Sequence, residues 1–346
     1  MRKILLVESI ILILLLLFAV GVSVYLSRET DAVPVIQTAP PDTAEPTVPT
    51  APTLPPTEAP AAPPAEELTQ PQPTWLILPA DRQLTAKQYF LYDCDMAQFM
   101  VLSGNQEDKV YPASLTKLYT AEIALKFLDL QQEVTVGSEL DLVAWGSSVA
   151  KLQKGDVLTV QSLIQALLLP SGNDAAYVLA ANAGRVLSAD PTLSPASAVA
   201  AFVAEMNRQA AEQGMTATHF VNPDGIHDPN HYTSIQDLAI LGTLAMKNPV
   251  ISRTTSLDMV ELALSEDRLL TWENTNELLL PDSAYYCPYA VGLKTGNTPA
   301  NGTCLLSAFQ MDGRTILIGV FGCPGKEDRF ADTLQLFNSF FGFGDA

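Results

Sequence analysis

The sequence predicts an α+β domain (α/β layered): one antiparallel sheet flanked by helices, built from both ends of a C-terminal region of about 270 residues, with a helical subdomain inserted between. Three observations predict it. Gln88-Tyr89-Phe90-Leu91-Tyr92 and Ala97-Gln98-Phe99-Met100-Val101-Leu102 are β-rich runs that read as paired strands around an Asp93-Cys94-Asp95 turn. Apolar residues then recur at helical spacing over residues 115–247. Strand patterns return near the end, where Asp312-Gly313 is a tight-turn dipeptide.

Ahead of this region the chain has two other parts. Residues 1–28 hold an almost wholly apolar run from Ile4 to Leu26 behind Arg2 and Lys3. Such a run is long enough to cross a bilayer as a helix, and the flanking positive charges orient everything after it outward. An uncleaved anchor is preferred over a cleaved signal peptide. Ala19-Val20-Gly21 is a small-x-small site, but the apolar run continues beyond it. Residues 29–74 hold 13 of the 25 prolines and seven acids without a single Lys or Arg. That composition buries too little apolar surface to offset ordering, so it reads as an extended, disordered linker rather than a signalling ligand.

Within residues 75–346, the helical patterns are Leu115–Leu130, Val160–Leu169, Asp174–Ala183, Ala198–Gln213 and Ile235–Lys247, the last with Ser234 and Asp237 in capping-box spacing. The closing strands are Ala290–Lys294, Thr303–Phe309 and Thr315–Phe321, followed by an apolar run, Leu334–Phe341, that reads as a covering helix. With Asp312-Gly313 as the turn, facing residue numbers sum to about 625, which sets Cys304 diagonal to Cys323 and makes a bridge between them an expectation. The net charge of −19, from 38 acidic and 19 basic residues, would repel a phosphate backbone and argues against a nucleic-acid partner. Any cation the chemistry needs must therefore be placed locally.

Three short motifs carry chemistry. In Ser114-Leu115-Thr116-Lys117, a helix starting near Ser114 turns hydroxyl and amine the same way, so that a lysine kept partly neutral by burial could take the hydroxyl proton. Ser171-Gly172-Asn173 lies where one helix ends and another starts, a corner that can present a hydroxyl and an amide to a cleft. Lys294-Thr295-Gly296 ends a strand, where glycine lets a substrate backbone come close. Two of the motifs have decoys. Ser148-Val149-Ala150-Lys151 repeats the first spacing and Ser103-Gly104-Asn105 repeats the second, so a cap serine, a solvated lysine or a plain turn explains each copy taken alone. His219, His227 and His231 with Asp224 and Asp228 contain enough donors for zinc, but Gly225 and Pro229 interrupt any shared helical face, and no metal is assigned.

The order Ser-x-x-Lys, Ser-x-Asn, Lys-Thr-Gly, together with Tyr111-Pro112-Ala113 before the first motif, Gly146-Ser147-Ser148, Asp174-Ala175-Ala176 after the second, and His219-Phe220-Val221-Asn222-Pro223-Asp224-Gly225, strongly resembles the serine D-alanyl-D-alanine carboxypeptidases. These are low-molecular-weight penicillin-binding proteins of β-lactamase/transpeptidase-like fold. The resemblance covers roughly Leu84 to Gly342. It implies that Ser114 attacks the bond between two D-alanines of a peptidoglycan stem peptide with Lys117 as base, while Ser171 and Asn173 pass a proton to the leaving amine and hold the acyl group. Lys294 and Thr295 would bind the terminal carboxylate, with Gly296 lining the groove. The backbone N–H groups of Ser114 and Asn297 would hold the oxyanion, and Arg329 would be a carboxylate-binding arginine. No cofactor is implied, and β-lactam antibiotics are implied as inhibitors. Asn297 departs from the histidine frequent at that place. Of the rivals, a β-lactamase would need a Glu-x-x-x-Asn element, for which Glu205 and Asn207 have the wrong spacing. A non-catalytic wall sensor would not need the full motif set. A transpeptidase or endopeptidase would share the acyl-enzyme.

Overall fold

The structure, a computed structural model, describes residues 84–298 and 302–342. The expected anchor, the linker and the first residues of the third part lie outside the described residues. No described helix is long and apolar enough to cross a membrane.

In chain order the strands are β1 (Gln88–Asp93), β2 (Gln98–Leu102), β3 (Lys109–Val110), β4 (Glu133–Thr135), β5 (Val157–Thr159), β6 (Thr233–Ser234), β7 (Met259–Ser265), β8 (Arg268–Glu273), β9 (Ala290–Thr298), β10 (Gly302–Met311) and β11 (Arg314–Cys323). The α-helices are α1 (Thr116–Ala124), α2 (Val160–Leu168), α3 (Asn173–Leu187), α4 (Pro195–Glu212), α5 (Ile235–Lys247), α6 (Pro249–Thr255) and α7 (Asp328–Phe341). Five strands form one antiparallel sheet in the order β2-β1-β11-β10-β9, so the two ends of the described chain meet in its middle and β9 is an edge.

Alternation along these strands divides the core. Phe90, Phe99, Cys304, Leu306, Ala308 and Leu317 face the helical subdomain and pack with α1 to α6. Leu91, Val101, Leu305, Phe309, Ile316 and Ile318 face the other way, under Phe330, Leu336 and Phe337 of α7. The closing hairpin turns at Asp312-Gly313, both with positive φ (51° and 76°), as a two-residue primed turn requires. Its facing pairs, from Met311 with Arg314 up to Leu305 with Val320, sum to the predicted 625.

The expected Cys304–Cys323 bridge is not formed; both thiols are free and buried. A bulge between Thr303 and Leu305 sets Thr303 opposite Cys323, and Gly322 there takes φ 72°. A one-residue slip moves a side chain to the other face of a sheet. Cys304 therefore packs toward the helices and Cys323 toward α7.

Other elements differ in detail. The first predicted helix divides into a single 3₁₀ turn, Ala113–Leu115, and α1, which ends by Leu125; Asp129 then folds back to accept from the Gln131 N–H at 2.9 Å. Helix α4 starts three residues early because Ser194 caps it and Pro195 fits its first position. At α5, Ser234 Oγ accepts from Asp237 N at 3.1 Å, but the Asp237 carboxylate accepts from Ala217 N and Thr218 Oγ1, so only half of the capping box forms. Helix α6, capped by Asn248, and the β7–β8 hairpin were not foreseen.

Candidate active site

The first motif sits where the 3₁₀ turn runs into α1. Ala113, immediately before Ser114, holds φ 50°, a conformation that costs a residue with a side chain of order 1 kcal/mol or more. One turn later Lys117 is fully buried, and its Nζ donates to Ser114 Oγ at 3.0 Å and to the backbone carbonyl of Asp224 at 2.6 Å. Burial lowers the Lys117 pKa to about 8, against the opposing pull of Asp224 and Asp174. With that value about a tenth of the molecules carry the free amine at neutral pH.

The Asp224 loop is locked against this turn. A Cβ on Gly225, which adopts φ 84°, would stand 1.8 Å from the Ala113 carbonyl oxygen, so only glycine fits. The Asp224 carboxyl is buried; Oδ1 accepts from Ile226 N at 3.2 Å, Oδ2 has no hydrogen-bond partner, and burial raises its pKa. Behind Lys117, His231 accepts from Val221 N through Nδ1 at 3.2 Å, which places its proton on Nε2 for donation to Thr116 Oγ1 at 2.8 Å. Burial lowers the His231 pKa to about 4, so this ring is neutral and structural.

The second motif forms the corner between α2 and α3. Ser171 holds φ 63°, and a Cβ on Gly172 would meet the Ala166 carbonyl at 2.6 Å. The corner is pinned from the segment before it. Asn173 N donates to Ser148 O at 2.8 Å, and the Asp174 carboxylate accepts from Ala150 N at 2.8 Å and Leu152 N at 3.0 Å. Ser171 and Asn173 are buried to within a few per cent.

The third motif lies on the edge strand β9. Lys294 is buried and donates to Thr275 Oγ1 at 3.2 Å, while the Thr275 and Thr295 hydroxyls share a hydrogen bond of 2.6 Å. Burial, then the charges of Lys117 and Arg329, hold the Lys294 pKa well below the usual lysine range. A Cβ on Gly296 would stand 3.0 Å from the Ala113 Cβ, so β9 abuts the nucleophile turn with no room for a side chain. Arg329 of α7 reaches the Gly296 carbonyl through Nη1 at 3.3 Å, its Nε without a partner and its guanidinium over the Phe330 ring. Asn297 is exposed at the open end of β9, opposite Thr303. The second motif joins this group through Thr275 N, which donates to Leu169 O at 3.2 Å.

Ser114 and Lys117 are thus joined by a hydrogen bond, Gly296 abuts the turn before Ser114, Lys294 feels the Lys117 charge, and Thr275 ties Lys294 and Thr295 to the end of α2, two residues before Ser171. The decoy pairs are built differently. Ser148 gives its hydroxyl to Pro170 O, and Lys151 is exposed with φ 65°. Ser103-Gly104-Asn105 is a loop at the end of β2, on the far edge of the sheet from β9. His219 bonds Asn230 O and His227 packs edge-on to Tyr111. Glu205 is held by Arg208 and Gln209, and Asn207 by Phe220. Sequence reasoning missed Asp174, Thr275, the Asp224 carbonyl and the Thr116–His231 pair. Asp174, Asp224 and Thr116 stand inside the quoted stretches, but their roles act through backbone or buried partners that the motif letters do not show.

A buried lysine with a lowered pKa on a serine hydroxyl, further buried lysine and amide groups, and an edge strand beside them are the parts of an acyl-transfer site. The chain resembles D-alanyl-D-alanine carboxypeptidases from Streptomyces sp. (strain K15), 34% identical with 65% of this chain and 77% of that relative covered, and DacF of Bacillus subtilis (strain 168), 26% identical with 72% and 61% covered. It spans about three fifths of the latter's length. The crystal structure of the Streptomyces K15 DD-transpeptidase superposes with a TM-score of 0.67 at 28% identity, covering 76% of this chain and 99% of that one. The description of the D-alanyl-D-alanine carboxypeptidase family, peptidase S11, matches residues 76–325, and the chain belongs to that family.

Proposed function

We propose that the protein is a serine D-Ala-D-Ala carboxypeptidase that removes the terminal D-alanine from peptidoglycan pentapeptides. The observation that carries this is the 3.0 Å contact between a fully buried, pKa-lowered Lys117 and Ser114, with the other two motifs closed around it. In this reading Lys117 Nζ takes the Ser114 hydroxyl proton as Oγ attacks the penultimate carbonyl. Backbone N–H groups of Ser114 and Asn297 receive the oxyanion, a preorganised arrangement worth several kcal/mol. As the C–N bond breaks, the proton passes through Lys117 and Ser171 to the amine of the departing D-alanine, and Asn173 holds the acyl peptide. Lys294 and Thr295 bind the departing residue's carboxylate, and Arg329 supports it by fixing the Gly296 carbonyl. Water then attacks the ester, with Lys117 again as base. A β-lactam follows the same first half and stays as the ester, because its amine leaving group is tethered.

One similar structure is that of a DD-transpeptidase, and transfer of the acyl group to an amine instead of water is the second reading. The finer organisation belongs to the same proposal. Residues 1–28 anchor the chain in the membrane, residues 29–74 space it, and residues 75–346 work outside the cytoplasm. Purified protein incubated with fluorescent penicillin acquires one label at Ser114 and releases D-alanine from a pentapeptide. Labelling that survives Ser114→Ala overturns the site, and labelling without D-alanine release overturns the activity.

A further inference from the structure

We infer that Thr275 is a positioning residue for carboxylate recognition: its hydroxyl, set between the Lys294 amine and the Thr295 hydroxyl, orients the Thr295 proton for donation to the substrate's terminal carboxylate. This rests on the proposed function, which makes Lys294 and Thr295 the partners of that carboxylate.

The loop that carries Thr275 is held in one place. Asn274 and Asn276 on either side are buried; Asn274 Nδ2 donates to Thr255 O at 3.0 Å and Leu257 O at 2.7 Å, and Asn276 Nδ2 to Gly292 O at 3.2 Å. Between them the Thr275 backbone N–H donates to Leu169 O at 3.2 Å, so the tie to the end of α2 does not use the side chain. The hydroxyl is engaged elsewhere. Oγ1 lies 3.2 Å from Lys294 Nζ and 2.6 Å from Thr295 Oγ1. A β-branched side chain has few rotamers by which to leave that position.

Proton counting gives the hydroxyl its task. An ammonium only donates, and a hydroxyl carries one proton. When Lys294 is charged, Thr275 Oγ1 accepts from it and directs its own proton to Thr295 Oγ1. Thr295 Oγ1 then accepts, and its single proton is left for an incoming acceptor. Without the Thr275 hydroxyl, Lys294 loses an acceptor and nothing from residue 275 fixes the direction of the Thr295 proton.

The charges around this chain call for an anion. Lys294 is 1% exposed, makes no ion pair among the described residues, and feels the positive charges of Lys117 and Arg329. Burial and these cations disfavour its ammonium form, whereas an arriving carboxylate favours it. Anion binding and the ordering of the Lys294–Thr275–Thr295 chain are therefore one event, which a neutral ester in the same place does not set in motion.

The test compares benzylpenicillin with its methyl ester, which differ in the one carboxylate that stands in for the substrate's terminus, on the full chain and its Thr275→Val and Thr275→Ser variants. Stopped-flow acylation gives the ratio of the two second-order rate constants, and D-alanine release from a pentapeptide gives kcat and KM. The native chain favours the free carboxylate about hundredfold, the effect of two charge-assisted hydrogen bonds. Thr275→Val cuts that ratio about tenfold, the effect of one such bond, and raises the pentapeptide KM more than it lowers kcat. Thr275→Ser, which restores the hydroxyl, stays within about threefold of the native ratio. An unchanged ratio in Thr275→Val, equal losses on acid and ester, or a Thr275→Ser variant as impaired as Thr275→Val makes the residue structural only and overturns the inference. If no D-alanine is released but the penicillin ratio still depends on the Thr275 hydroxyl, the proposed activity fails and the inference stands. If neither penicillin acylates the native chain, both fail.

Discussion

Ser114–Lys117 and Ser148–Lys151 share a spacing and differ in everything around it. The first pair starts a helix, so three residues make most of a turn and bring Nζ to within 3.0 Å of the hydroxyl. The second lies outside any regular element, where a positive φ at Lys151 turns the amine to water and the Ser148 hydroxyl caps Pro170 O instead. Lys151 stands in water, whereas burial brings the Lys117 pKa down to about 8. Ser103-Gly104-Asn105 and Ser171-Gly172-Asn173 diverge in the same way. One hangs at a sheet edge, and the other is buried with an aspartate behind it. A motif becomes a site through backbone conformation and burial, and the letters alone specify neither.

The contrast can be broken at four points. The largest effect is qualitative: Ser114→Ala abolishes the covalent penicillin adduct seen by intact-mass spectrometry, while Ser148→Ala retains it. If both variants lose the adduct, the pairs are not functionally distinct. Next, Lys117→Met slows acylation about 10²–10⁴-fold, the range of a lost general base, and Lys151→Met changes it less than about twofold; stopped-flow acylation kinetics read both. The third effect is pH dependence. Only the free amine accepts the proton, and the Lys117 pKa is about 8. The acylation rate therefore falls about tenfold per unit below pH 8 and levels off above it; a limb well above pH 8 would mean that burial does not lower the Lys117 pKa. The smallest is structural. Asp174→Ala leaves the buried N–H groups of Ala150 and Leu152 unpaired, costing about 2–5 kcal/mol and a fall of roughly 5–15 °C in Tm. Asp108→Ala, beside the exposed copy at Asn105, costs under about 1 kcal/mol; calorimetry separates them.

What was legible in the sequence followed from local rules. The Asp312-Gly313 turn set the register of β10 and β11 up to Leu305, because a two-residue turn leaves no freedom. Lys294, Thr295 and Gly296 were readable at a strand end, although the strand runs on to Thr298. Beyond that, long-range packing decided. The bulge that separates Cys304 from Cys323 lies beside Gly322, where a side chain would meet Lys87, and nothing in the hairpin's own pattern announces it. Asp174 and Thr275 act on partners more than 15 residues away, and the Asp224 carbonyl is a backbone atom, so side-chain chemistry could not point to it. The β7–β8 hairpin is short, and its alternating run was hidden among charges such as Glu261, Glu266 and Asp267.

Ala113, just before the first motif, and Ser171, in the second, are held in left-handed conformations. Glycine would relax both corners, so Ala113→Gly and Ser171→Gly are routes along which the molecule could become more stable. The second route deletes a hydroxyl that the proposed mechanism uses, and the first loosens the turn that carries Ser114. Selection for thermal robustness alone would thus erode the site at these two backbone positions before it touched the core, and a drifting, inactive descendant should carry its earliest scars there.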